Sequence, residues 1–75
     1  MNDNSRKRIA KIAEELDALK YQLEEVTGEA VQAADSLEDE SPGTEQAKAA
    51  EETVNTLENI TIQIENAVSK LENIG

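Results

Sequence analysis

Seventy-five residues with no cysteine and no histidine make one small domain at most, too short to bury much surface alone and lacking disulfides or structural zinc as a substitute core. Ten alanines and sixteen Leu, Ile or Val, with no Phe or Trp and one tyrosine, favour helix over strand and leave oligomerisation as the route to a sufficient core. A net charge of −10 argues against general DNA or RNA binding and against docking on anionic lipid, both of which depend on Lys and Arg.

The charge is uneven. Residues 1–11 carry Arg6, Lys7, Arg8 and Lys11 against Asp3 alone, and beyond them Lys20, Lys48 and Lys70 are the only basic residues in an acidic body. Positive charge at a helix start opposes the helix dipole, so this cluster needs an account. Two readings stand. In one, the cluster lies beside the end of a second helix and meets Glu65, Glu72 and the last carbonyls there. In the other, Arg6, Lys7, Arg8 and Lys11 form a site for an anion, either a small molecule such as a nucleotide or an acidic protein surface.

Helix one is expected over about residues 5–40, capped by Asp3, Asn4 or Ser5. Ile9, Ile12, Leu16, Leu19, Leu23, Val26, Ala30, Ala33 and Leu37 recur at spacings of three and four, the pattern of a heptad seam. Gly28 falls opposite that seam, so the helix is read as continuous, with a break at Thr27–Gly28 as the alternative. Tyr21 faces outward and is the first choice for a contact with a protein partner, since exposed tyrosines are enriched at binding hot spots. Ile62 and Val31 also face out by register.

Ser41-Pro42-Gly43-Thr44 is the strong punctuation of the chain. Proline removes a donor and disfavours helix in the residue before it, and glycine permits a reversal. The turn is placed at 41–44, and Thr44 is suited to cap helix two over about 45–74. Its seam reads Ala47, Ala50, Val54, Leu57, Thr61, Ile64, Val68 and Leu71. Two long helices joined by so few residues must lie antiparallel. Alanines near the turn in both helices, with Leu and Ile far from it, agree with that folding-back.

Helix two repeats an order at intervals of seven: Leu57-Glu58-Asn59-Ile60, Ile64-Glu65-Asn66-Ala67, Leu71-Glu72-Asn73-Ile74. Ile60, Ala67 and Ile74 add a third apolar position to each heptad, a face wider than one partner helix covers. A second copy of the chain is the simplest cover. The fold expected is therefore all-α: an antiparallel helical hairpin, a single domain over 1–75, pairing into a homodimeric four-helix bundle with Ile60, Ile64, Ala67, Leu71 and Ile74 at its interface. A bare hairpin and a groove for a different protein are the alternatives. The row Glu51, Glu58, Glu65 and Glu72 has few lysines to pair with and is expected to be solvated.

Little here supports catalysis. Without His or Cys, and with four serines lacking a base, general acid-base and covalent chemistry have no candidates, so the chain is read as non-enzymatic, with no cofactor and no metal. No stretch reaches the ~20 apolar residues of a membrane span and the start lacks a signal-peptide core, giving a cytoplasmic expectation.

With its basic start "SRKRIAKIAEELDALKYQLEEV", turn "SLEDESPGTEQA" and acidic tail "AEETVNTLENITIQIENAVSKLENI", the chain resembles a group of short acidic helical-hairpin proteins of phage, prophage and other bacterial genomes. The resemblance implies a setting rather than a mechanism, since such proteins mostly lack an assigned activity; the first function expected is an interaction protein, an accessory factor of counter-defence type that binds and modulates a host protein. The other functions weighed are a sponge for an anionic small molecule at the basic end, an acidic DNA mimic, and a purely structural oligomer.

Overall fold

The structure, a computed structural model, describes residues 2–74; Met1 and Gly75, the ends of the expected domain, lie outside the described residues. Two helices account for nearly all of it: α1, Asp3–Glu40, and α2, Glu45–Ile74. They pack against each other as an antiparallel hairpin of 57 × 15 × 12 Å, the long dimension matching the ~57 Å expected of 38 helical residues at 1.5 Å each.

The first helix starts earlier than its expected caps allow. The residue that caps it is Asn2, whose Oδ1 accepts the Ser5 N–H at 2.8 Å, while its carbonyl accepts the Arg6 N–H at 3.1 Å. Asp3, Asn4 and Ser5 are inside the helix, and Asp3 places a negative charge in the first turn, where the dipole favours it. At the other end the Ser41 N–H donates to the Leu37 carbonyl at 2.8 Å. Pro42 stops the helix, and Gly43 takes φ +77°, the left-handed region that a side chain resists. Thr44 then ties the reversal to α2. Its hydroxyl donates to the Ser41 carbonyl at 3.0 Å and accepts the Ala47 N–H at 3.2 Å.

The covered edge of α2 is the expected one. Ala47, Ala50, Val54, Leu57, Thr61, Ile64, Val68 and Leu71 are all buried or half-buried. The covered edge of α1 differs from the expected seam. Ile9, Leu16, Leu23, Ala30 and Leu37 turn inward together with Ala13, Lys20, Thr27 and Ala34. Ile12, Leu19 and Val26 remain 49%, 53% and 49% exposed, and Ala33 is exposed too. The helix is rolled about its axis so that its smaller column, not its larger one, meets α2. Thr27 and Thr61 are tolerated in the seam because their hydroxyls donate to the carbonyls of Leu23 and Leu57, at 2.8 and 3.0 Å, leaving no polar atom stranded.

Gly28 does not break α1. It lies within the helix on an exposed side, and a Cβ added there would meet nothing within 4 Å. Gly28→Ala should therefore raise stability by about 0.5–1 kcal/mol through backbone entropy and helix propensity. Gly43→Ala, forced to positive φ, should lower it by about 1 kcal/mol. Urea unfolding followed by circular dichroism reads both, and opposite signs at the two glycines are the expected result.

Candidate interaction faces

The two broad faces of the hairpin differ in their charge, although the charged one also carries the exposed Val31 and Ile62. One is fixed by Lys20, which reaches across from α1 to Glu65 on α2 at 3.7 Å and also pairs with Asp17 at 3.4 Å. On this side a groove of about 410 Å³ near the open end is lined by Arg6, Glu14, Asp17 and Glu72 and by the apolar Ile9, Ala10, Ala13, Val68, Leu71 and Ile74, the last at the end of α2, where it borders both faces. A second groove nearer the turn carries Val31, Asp35, Glu51 and Asn55. The row Glu51, Glu58, Glu65 and Glu72 runs along the α2 side of this polar face, and of its members only Glu65 is ion-paired.

The opposite face follows from helical geometry. At roughly 100° per residue, Ile12, Leu19, Val26 and Ala33 lie on the flank of α1 turned away from Lys20. Ile60, Ala67 and Ile74 lie on the flank of α2 turned away from Glu65. Because Lys20 and Glu65 share one side, these two columns share the other. Stepping along both helices from the Lys20–Glu65 level sets, to within one residue, Ile12 beside Ile74, Leu19 beside Ala67, Val26 beside Ile60 and Ala33 beside Thr53. The result is a ladder about 31 Å long, tapering toward the turn. Ile60 and Ile74 are 37% and 48% exposed, Ala67 half-buried.

The five residues expected at a dimer interface therefore divide. Ile60, Ala67 and Ile74 belong to the open apolar ladder, whereas Ile64 and Leu71 are half-buried in the hairpin's own seam. Ile12, Leu19 and Val26, missed as open-face residues because they had been assigned to that seam, supply the other half of the ladder. Part of their signal was present: Ala13 and Ala34 stand beside Ile12 and Ala33, in a column whose other members are Lys20 and Thr27.

The basic cluster does not meet the end of α2. Arg6, Lys7, Arg8 and Lys11 make no ion pair with Glu65, Glu72 or any other carboxylate among the described residues, where every salt bridge belongs to Lys20. Length explains it. With 38 residues against 30, α1 runs past the end of α2, and Glu72 stands level with Ala13 rather than with Arg6. Successive side chains also leave the helix about 100° apart, so Arg6, Lys7 and Arg8 diverge rather than converge on one anion. Arg6 alone borders the open-end groove.

Tyr21 is exposed, with the Lys20 ammonium 4.8 Å from the centre of its ring, close enough for a cation–π contact. Burial works against the charge of Lys20, but the hydrogen bond and charge of Asp17, with Tyr21 and Glu65 adding to them, more than offset it and raise the pKa above the ordinary lysine value. A lysine raised on folding contributes stability below its unfolded pKa, and that contribution is lost as pH climbs through the folded value, above about 10.4.

Among the described residues no group of three His, Cys, Asp or Glu is placed to hold a metal ion, and no helix is long and apolar enough to cross a membrane. Comparison of the chain with known protein families, with curated protein sequences and with solved structures returns no match.

Seventeen acidic residues face seven basic ones, and among the described residues Lys20 alone forms ion pairs, so repulsion among carboxylates outweighs pairing. Screening it should stabilise the fold. The melting temperature is expected to climb as sodium chloride rises from about 10 mM to 150 mM, where the Debye length shortens from about 30 to 8 Å; a fall over that range would mean that pairing dominates.

Proposed function

We propose that this chain is a non-enzymatic interaction module: two hairpins pair through the apolar ladder into a homodimeric four-helix bundle that presents acidic polar faces to a partner protein with a basic surface. The observation that carries this reading is the roll of α1. An isolated hairpin would gain by turning Ile12, Leu19 and Val26 toward α2, because full burial of such side chains is worth about 1.5–3 kcal/mol each. Leaving them half exposed while covering Lys20 and Thr27 makes physical sense if another surface completes their burial.

The area is of the right size. A compact protein of 8.2 kDa exposes about 4,500 Å², whereas this chain exposes 5665 Å². The surplus of about 1,100 Å² is comparable with the ~800 Å² per partner of a standard interface. Among the described residues the buried hydrophobic side chains are Ala13, Ala34 and Ala47, so the hairpin alone lacks a core of large residues, and pairing supplies one.

On the opposite faces, Glu14, Asp17, Glu51, Glu65 and Glu72 offer carboxylates at helical spacing, and these are suited to Lys and Arg on another protein. An accessory factor that binds and modulates such a protein is the role this surface fits best.

Light scattering should find a dimer at low micromolar concentration. Leu19→Glu, on the ladder but outside the hairpin's seam, should produce monomer with lost or reduced helicity, since a charge buried unpaired costs several kcal/mol. A wild type that is folded and monomeric at that concentration would overturn the proposal. Glu14→Gln combined with Glu65→Gln and Glu72→Gln should leave the dimer intact and weaken capture of the protein partner by at least tenfold.

A further inference from the structure

Resting on that dimer reading, we infer the orientation of the second copy: the two hairpins lie with their turns at the same end, α1 of each stacked on α2 of the other, and Glu15 paired with Lys70 of the partner subunit. Two symmetric arrangements bring the apolar ladders face to face. A two-fold axis along the hairpin keeps the turns together and sets α1 against the partner's α2. An axis across it turns one hairpin end for end and sets α1 against the partner's α1.

The residues that rim the ladder distinguish them. Just outside Ile12, Leu19, Val26 and Ala33, α1 carries Arg8, Glu15, Gln22, Glu29 and Ser36; just outside Ile60, Ala67 and Ile74, α2 carries Ala49, Thr56, Gln63 and Lys70. With the turns together, the level of each residue is unchanged, so the Lys20–Glu65 pair fixes the rim contacts without any sliding. Glu15 then faces the partner's Lys70, Gln22 the partner's Gln63, Glu29 the partner's Thr56, and Ser36 the partner's Ala49. The sequence thus sets an ion pair, an amide pair, a carboxylate facing a hydroxyl and one uncharged contact in consecutive heptads, each made twice, with no like charges opposed.

Turned end for end, full overlap of the ladders sets Ile12 opposite Ala33 and brings Glu15 against Glu29 of the partner subunit, two like charges on each side. Sliding by one heptad relieves that clash but leaves the Ala33–Thr53 rung without cover. The taper also favours turns together. Layers of equal thickness meet, from Ile12 and Ile74 at the open end to Ala33 and Thr53 near the turn, and in the Leu19–Ala67 layer large and small side chains alternate around the bundle. The same arrangement gathers both overhanging Arg6–Lys11 segments at one end and both acidic turns at the other, so added salt should tighten the dimer.

Charge reversal and cross-linking test the orientation separately from dimerisation. Glu15→Lys and Lys70→Glu should each weaken dimer dissociation constants about tenfold, and the double variant should return to within about threefold of wild type, as expected for exposed pairs made twice. Since the chain has no cysteine, Gln22→Cys and Gln63→Cys report contacts cleanly. An oxidised mixture of the two chains should yield the 22–63 hetero-disulfide well ahead of either homo-disulfide. If Glu15→Lys tightens the dimer, or if Gln22→Cys alone cross-links to itself as readily as in the mixture, the end-for-end arrangement is correct and the inference fails. Unchanged dissociation constants in both single variants also overturn it. A wild type that stays monomeric at about 100 μM, well above the concentration of a micromolar complex, refutes the dimer itself rather than its orientation.

Discussion

A helix packed against a single neighbour has one covered edge, and both helices of this hairpin carry apolar side chains on more than one. Most of the structure follows from that mismatch. Each helix must choose which columns to hide, and the choice made by α1 is the smaller one, Ala13, Lys20, Thr27 and Ala34 alongside Ile9, Leu16 and Leu23. The choice made by α2 leaves Ile60, Ala67 and Ile74 at the margin. Both remainders emerge on the same side because Lys20 and Glu65 occupy the other. In a two-helix unit the aliphatic stem of Lys20 and the methyls of Thr27 and Thr61 fill the seam, and Ile12, Leu19 and Val26 remain about half exposed.

The hairpin, its turn and the continuity of α1 through Gly28 are legible in the sequence because each rests on local chemistry. Pro42 and Gly43 can do little else, Thr44 is a strong cap, and heptads held for several turns leave no doubt about period. The roll of α1 was less accessible. Choosing the largest residues as the seam, Ile12 and Leu19 with Leu16 and Leu23, is right for a helix with one partner and wrong for a helix whose stripe is shared. The three-column stripe was recognised in α2, where the third column is isoleucine, and overlooked in α1, where it includes Ala13 and Ala34. Small side chains are the ones that let helices approach closely, so their weight in a seam exceeds their hydrophobicity.

The basic cluster makes no ion pair with Glu65 or Glu72 for a different reason. A turn centred between Pro42 and Gly43 sets residues equidistant from it side by side, so Ala13 falls level with Glu72, and Arg6 through Arg8 fall beyond Ile74. That count needs only the position of the turn. Among the described residues Arg6, Lys7 and Arg8 sit on the stretch of α1 beyond the level of Ile74 and make no ion pair. The cluster's cost against the helix dipole is met partly by the Asn2 cap and Asp3 in the first turn.

The distribution of small and large residues along the hairpin connects these features. Near the turn, Ala30, Ala34, Ala47 and Ala50 fill the seam, and side chains this small permit close packing. Toward the open end the seam widens to Ile9, Leu16, Ile64 and Leu71, and the exposed ladder grows in step, from Ala33 and Thr53 to Ile12 and Ile74. The apolar area left uncovered is therefore greatest where the two helices are least constrained by the turn, at the end most in need of additional contacts. A surface that covers the ladder stabilises the hairpin where the chain's own connectivity does so least. Large aliphatics therefore divide between the seam and the ladder, while Ser41–Thr44 fastens the closed end by covalent connection.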